Sequence, residues 1–432
     1  MAMATAVAVQ KPREESLSLT HAAIVVAVGF LATTLGQTQV LGRIPLQNLL
    51  KNELHVDRST NAAFFFWIGL AWYFKPLVGI ITDAFPLFGS RRKNYMMFST
   101  VLAVLSWAGL YVTPHQYNKL LWVCVIINFF MVVASTVAGA YMVEIAQAAS
   151  GSGRLTAVRQ FVQQASYIIM GPAAGYLGSI AFGWTAAACG GVVFLLVPIA
   201  ILFIHEQRKR IDSHVLLENA GKQLGKIATA GTMWAAAGLM ALFYAAPGLS
   251  TAIFYRQQND LHLNTQGQGF LVFLGGVFGV VAALAYGFVC RHVNLRNLLL
   301  ACLAFGTVAN LGYLFYSSVP RARVIDSLNG FGYTLAELAL MDLAVRATPA
   351  GSEGMGFSLM MSVRNLTLFG TDWFGSKLMD QYHLSFGTLV LTNSATTAIT
   401  VPLVFLLPLL LVGKKDAEPP AEPAAPRMGP QD

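Results

Sequence analysis

Long apolar runs alternate with short polar breaks along this chain. Runs close to the ~20 residues that a membrane-spanning helix needs predict twelve spans, roughly at 20–42, 60–81, 94–113, 119–143, 156–180, 184–204, 231–253, 267–289, 297–317, 323–346, 355–378 and 386–412. The longest polar break, 205–230, is mixed in charge and divides six spans from six. The predicted organisation is an N-terminal segment 1–19, a six-helix half 20–204, a linker 205–230, a second six-helix half 231–412 and a tail 413–432. Equal sets of spans around a midpoint break are what two parallel repeats leave in a sequence. Within 43–58, apolar residues at Ile44, Leu46, Leu49, Leu50 and Leu54 predict a short amphipathic helix lying in the outer interface. The tail from Lys414 is rich in Pro and Ala, cannot bury a core and is expected to be disordered.

Composition agrees with the pattern. The 432 residues are 56% hydrophobic and 11% charged, against about 25% charged in ordinary soluble domains, and mean hydropathy is +0.59. A net charge of +8 then concerns topology and lipid headgroups, and a nucleic-acid partner is not expected. The first run is long enough to stay as an anchor and no cleavable leader is visible before it. On the predicted topology, 18 of the 28 Lys and Arg residues lie on the side of the termini and 8 on the other. The positive-inside rule makes the termini's side cytoplasmic. The four cysteines, Cys124, Cys189, Cys290 and Cys302, are scattered in or beside apolar runs with no C-x-x-C, so neither a disulfide framework nor a zinc site is expected.

A charge at mid-bilayer costs on the order of 3 kcal/mol on insertion scales, so each one must be paired, face water or do chemistry. In the tenth span Asp326, Asn329, Tyr333 and Glu337 recur at helical spacing and form one polar stripe. The stripe reads as a cavity wall, with the alternative that Asp326 caps the helix. The eleventh span carries Ser358, Ser362, Asn365 and Asp372 on one face, with Arg364 beside it near mid-span. The fifth carries Gln160, Gln163, Gln164 and Tyr167, and the first carries Thr34, Gln37 and Thr38. Polar glue between helices explains one or two such residues; a water-filled central cavity explains four faces. The histidines fall in loops or at span ends, there is no phosphate-binding G-x-x-x-x-G-K-[ST] loop, and no nucleophile has a base in reach. Metal, cofactor and enzymatic chemistry are not expected.

The most distinctive stretch is Lys75 to Tyr95, KPLVGIITDAFPLFGSRRKNY. Asp83 lies one turn beyond Gly79 at the end of the second span. Gly89, Arg91 and Arg92 then turn the chain into the third, so a carboxylate faces a basic cluster at one membrane face. This resembles the loop between the second and third helices of the major facilitator superfamily. With Lys75-Pro76 and Phe85-Pro86-Leu87-Phe88-Gly89 it resembles the folate–biopterin transporter family in particular. The likeness extends to Val143-Glu144, where an acidic residue expected a turn earlier is Gly139 in this chain, and to Ala347–Glu353, where Ser352 is expected to cap the eleventh span.

The resemblance implies an all-α polytopic membrane protein of the major facilitator fold, working as a secondary transporter by alternating access. Its implied partners are a folate- or pterin-like organic anion, protons as the default coupling ion, and the lipid bilayer, acting as a monomer. Expected substrate contacts are Arg364 as the anionic anchor, Arg159, Gln37, Gln163, Gln164, Tyr167, Asn329, Tyr333, Asn365 and Trp373. Expected proton carriers are Glu337, Asp372, Asp326 and Glu144, with Glu337 as the resident partner of Arg364. Expected gate residues are Lys75, Gly79, Asp83, Gly89, Arg91 and Arg92. The expected location is a bacterial cytoplasmic membrane, with a plastid envelope as the alternative. Rival functions are transport of another small organic solute, or a membrane receptor or pigment-assembly factor on the same scaffold.

Overall fold

A computed structural model describes residues 11–90, 92–148, 152–204, 213–349 and 352–413. Every one of the twelve predicted runs is occupied by helix. The first half holds α1 (Lys11–Leu35), α2 (Arg43–Asn48), α3 (Arg58–Ile68), α4 (Leu70–Tyr73), α5 (Lys75–Ala84), α6 (Lys93–Val112), α7 (Tyr117–Ala148), α8 (Ser152–Leu177), α9 (Phe182–Phe194) and α10 (Leu196–Leu202). After α11 (Ser213–Thr229) follow α12 (Gly231–Tyr244), α13 (Ser250–Asn259), α14 (Thr265–Val289), α15 (Leu295–Leu311), α16 (Val319–Ala347), α17 (Glu353–Gln381), α18 (Phe386–Leu403) and α19 (Leu409–Val412). Among the described residues there is no strand, and one isolated bridge joins Leu87 to Ser90.

Among the described residues, six helical segments are long and apolar enough to cross a bilayer, and a seventh is obtained if α11 and α12, bent by 71° about the break at Ala230, count as one. Four of the other predicted spans carry a physical reason for missing that standard. The second is broken at Gly69 and Phe74, and α8, α16 and α17 carry the polar and charged residues singled out above. The expected linker 205–230 is therefore not a plain connector, because α11 occupies 213–229 of it and packs against α5 and α17.

The buried cores divide at the same place in the chain. Three clusters, built around Leu46 and Trp107, Val25 and Leu196, and Val26 and Phe30, draw their buried residues from before position 205. Two others, around Leu303 and Leu340 and around Tyr316 and Leu389, draw theirs from after position 226. Apolar side chains on the outside remain exposed, among them Leu105, Val112, Phe129 and Leu284, as expected where lipid is the solvent. The two bundles approach most closely where α8 crosses α14: a Cβ on Gly171 would fall 2.6 Å from the Phe273 amide nitrogen, so only glycine lets these backbones meet.

Two corrections concern helix ends. The amphipathic segment after α1 does not lie on lipid. Ile44, Leu46, Leu49 and Leu50 are buried in the core of the first bundle, and α2 runs on as a π-turn over Leu49–Glu53. Apolar periodicity identified the helix but not its packing partner. Ser352 precedes α17 without a side-chain cap, and its buried hydroxyl has no partner among the described residues.

An internal repeat, degenerate in sequence, is explicit in the backbone. His55 and His262 both take positive φ (52° and 51°), each two residues before a cap, Asp57 on α3 and Asn264 on α14. The amide of Val56 bonds to the Leu50 carbonyl, and that of Leu263 to the Gln257 carbonyl. Asn61 donates to the Gln47 carbonyl, and Gln268 to the Phe254 carbonyl. Each second member lies 207 positions after its counterpart, as 262 follows 55. The corresponding helices are also broken alike: α1 ends at Leu35 before α2, and α12 ends at Tyr244 before α13. Interrupted helices at matching places in two halves mark where transporter sites are built.

Candidate functional site

The loops carrying this repeat tie the two bundles together at one face. Arg43 donates to the Ser250 hydroxyl at 2.8 Å. Lys51 donates to Gln258 at 2.9 Å and to Asn259 at 2.6 Å. Tyr255 donates to the Val56 carbonyl at 2.8 Å. Asp380 accepts from the Ser59 amide at 2.6 Å and pairs with Arg58 at 3.5 Å.

Beneath this tied face lies a cavity of about 480 Å³, walled by Arg43, Gln47, Tyr244, Asp326, Tyr333 and Asp372 with apolar neighbours from α8 and α14. Its size suits a small organic molecule. The α16 stripe supplies part of the wall. Asp326 is not a helix cap: seven residues into α16, it accepts from Tyr313 at 3.0 Å and Tyr316 at 2.6 Å. Asn329 donates to the Ala309 and Ile325 carbonyls.

A cluster of charges lies beside that cavity. Arg364 lies eleven residues into α17, about 16 Å along a helix rising 1.5 Å per residue. Its guanidinium is ion-paired with Glu337, at side-chain exposures of 18% and 27%. It also donates to Asn365 at 3.0 Å, Tyr244 at 3.3 Å and Tyr333 at 3.4 Å. The guanidinium lies 5.3 Å from the Tyr244 ring centroid, and the Tyr244 and Tyr333 rings meet edge to face. Tyr167 on α8 is within electrostatic reach, one turn beyond Gln163, whose amide is 3.5 Å from the Tyr167 hydroxyl. A planar cation, a carboxylate and three phenols from both bundles thus converge at membrane depth. They can stack on a flat ring, accept its N–H groups and donate to its carbonyls.

Other expected site residues lie elsewhere. Trp373 is one residue from cavity-lining Asp372, so it is turned ~100° around the helix; it packs on Phe66 and Trp67 under Lys377 and does not line the cavity. Asp372 itself accepts from the Thr251 amide at 3.0 Å and hydroxyl at 2.7 Å and lies 3.7 Å from Arg43, which makes it part of the tie. Gln37, two residues past the end of α1, is turned back onto that helix, donating to the Thr33 carbonyl. Thr38 is fully buried and accepts from Asn128. The side chains of Gln164 and Glu144, and the whole of Arg91, lie outside the described residues.

At the opposite face Asp83 pairs with Arg92 at 2.5 Å. The intervening turn takes positive φ at Phe88 and Gly89 (49° and 78°) and is held by Asn94 and Tyr95 of α6, which donate to the Leu87 and Phe85 carbonyls. Gly79 is not sterically required, since a Cβ there would meet Thr136 at an ordinary 3.7 Å. Lys75 is separate from this pair: it turns into the bundle, bonding the Ser135 hydroxyl at 3.1 Å.

Tyr244, Thr251 and the Arg43–Lys51 edge were missed by sequence reasoning. Tyr244 ends an apolar helix and has no polar periodicity around it; its one signal is the break at Ala245–Leu249 that follows.

The sequence profile of the BT1 family matches residues 36–422. The chain is 23% identical over 404 residues to probable folate-biopterin transporter 2 of Arabidopsis thaliana, covering 85% of this chain and 79% of that one. It is 23% identical over 409 residues to the folate-biopterin transporter of Synechocystis, covering 89% and 81%. Among solved structures it superposes on a D-xylose–proton symporter with a TM-score of 0.70 at 13% identity, covering 92% and 99% of the two chains. The nucleoside transporter NupG gives 0.69 at 12% identity, with 90% and 98% covered. At such identities these likenesses show the fold, that of the major facilitator transporters.

Proposed function

We propose, from the premise that this chain belongs to the BT1 family, a secondary transporter that moves a folate- or pterin-like solute across a membrane by alternating access, coupled to protons. The family is one of transporters, not enzymes, and a multi-pass membrane protein with a small organic substrate follows from it. The finer reading is our own: twelve spans, bundles 20–204 and 231–412 joined by 205–230, and termini in the cytoplasm of a bacterial cell.

The observation that carries it is the Arg364–Glu337 pair set among Tyr244, Tyr333 and Tyr167. A buried ion pair contributes little net stability and is costly to leave half-made, so its place beside a cavity between two bundles points to ligand exchange. A proton on Glu337 releases the Arg364 fork to the acceptor atoms of a substrate; loss of the proton restores the pair and releases the substrate. Asp326 is the second candidate carrier, since it faces the cavity and its described partners are two phenols.

The test is uptake of radiolabelled folate and biopterin into proteoliposomes with an imposed pH gradient. Accumulation driven by the gradient supports symport. Saturable binding without accumulation assigns a receptor, and failure to bind either compound assigns another solute.

A further inference from the structure

The charges on the helices of the two bundles are unequally compensated. On the second bundle Arg364 is neutralised by Glu337. The first bundle presents two cations, Lys75 and Arg159, that face no carboxylate among the described residues. Lys75 is half-buried, its amine on the Ser135 hydroxyl at 3.1 Å and 5.3 Å from the Trp72 ring centroid. Arg159 is half-buried over the Phe30 ring at 4.7 Å, and its buried Nε has no hydrogen-bond partner among the described residues. The charged group close enough to act on Lys75 is another cation, Arg159. Two like charges at membrane depth are costly, and an anion between them removes that cost.

The placement also sets a length. Arg159, Gln163 and Tyr167 recur every four residues on one face of α8. The phenol lies by the Arg364 cluster, and Arg159 lies eight residues away, about 12 Å along the helix axis toward the 84–92 turn.

We propose that Lys75 and Arg159 form an anion subsite for the carboxylate tail of a substrate whose flat aromatic head rests among Tyr167, Tyr244 and Tyr333. The inference rests on the transport reading for the identity of the head, and moves the anionic anchor from Arg364 to the first bundle. A guanidinium and an ammonium within electrostatic reach of one another can share a carboxylate, and the 12 Å offset selects molecules with a spacer between head and tail.

The experiment uses the purified full-length protein in detergent and two separate halves of the expected ligand: 4-aminobenzoylglutamate, which carries the tail, and biopterin, which carries a neutral head. Affinities are measured for wild type, Lys75→Gln, Arg159→Gln and Arg364→Lys by thermal shift titration. Lys75→Arg and Arg159→Lys control for loss of folding. The expected result is at least a tenfold loss of tail affinity in each Gln variant, at least fivefold larger than its loss of biopterin affinity, with recovery in the charge-conserving variants. Arg364→Lys should show the opposite bias. Wild type that does not bind the tail fragment, or Gln variants that lose both ligands equally, overturns the subsite. Wild type that binds the tail fragment but neither biopterin nor folate keeps the subsite and overturns the folate–pterin reading.

Discussion

Arg43 donates a 2.8 Å hydrogen bond to Ser250, the residue 207 positions later, so one position of the repeat meets its own counterpart in the other half. Lys51 meets Gln258 at the same offset. The tie at this face is thus made where the two bundles come closest to a shared two-fold axis, and Asp372 holds its centre by joining Thr251 and Arg43.

Asp372→Asn weakens that centre without changing its shape. A loss of about 1 kcal/mol shifts the balance toward opening at this face about fivefold. The readout is labelling of a Gln47→Cys reporter, beneath the tie, by a membrane-impermeant maleimide. The native cysteines are buried, so background labelling is low. An unchanged rate in the Asp372→Asn background removes Asp372 from the gate.

Glu337→Gln leaves Arg364 without its counter-charge. Breaking one side of a buried pair is expected to cost about 2 kcal/mol, less than for a fully buried pair because both groups are partly exposed. The double variant Glu337→Gln, Arg364→Gln should recover most of the thermal stability but no transport. In proteoliposomes Glu337→Gln should make substrate flux insensitive to pH while exchange of bound substrate continues. If flux still follows pH as in wild type, the proton travels by Asp326.

Asp83→Asn breaks the pair with Arg92 and should reduce uptake at least tenfold with normal amounts of protein in the membrane, because basic residues rather than acids set orientation. Uptake within twofold of wild type would leave the pair a purely structural staple of the 84–92 turn.

Gly171→Val should destabilise the crossing of α8 and α14 by about 1–3 kcal/mol, the usual range for overpacking. Gly287→Val, on the open flank of α14 where an added Cβ meets nothing within 4 Å, is the control. Equal unfolding midpoints for the two variants would show that the crossing is looser than its glycines require.

The helices were legible because each apolar run answers one demand, satisfying its backbone away from water. The Asp326–Glu337 stripe and the partnership of Arg364 with Glu337 were legible because buried charge at helical spacing has few solutions. Other features were not. Trp373 read as a cavity residue because its neighbours are, although one residue on a helix changes the face. The 43–58 helix read as interfacial because a periodic pattern is the same whether lipid or protein covers it. Tyr244 was invisible because the groups that give it meaning lie 89 and 120 residues away in Tyr333 and Arg364. The 207-residue repeat survives in sequence as little more than Leu-His-x-Asp/Asn, while its hydrogen-bond pattern is conserved in the fold.

That repeat has a consequence for how the tie could arise. In an unfused pair of identical halves, a residue beside the two-fold axis must face a copy of itself. Lys51 would meet Lys51 and Arg43 would meet Arg43, so a lock built from cations would repel its own twin. A single covalent chain is free of that self-matching constraint. One copy can keep the cation while the other becomes the acceptor, as Gln258 and Ser250 have here. Joining the halves end to end thus permits a lock and a key at positions where symmetry would have allowed two keys.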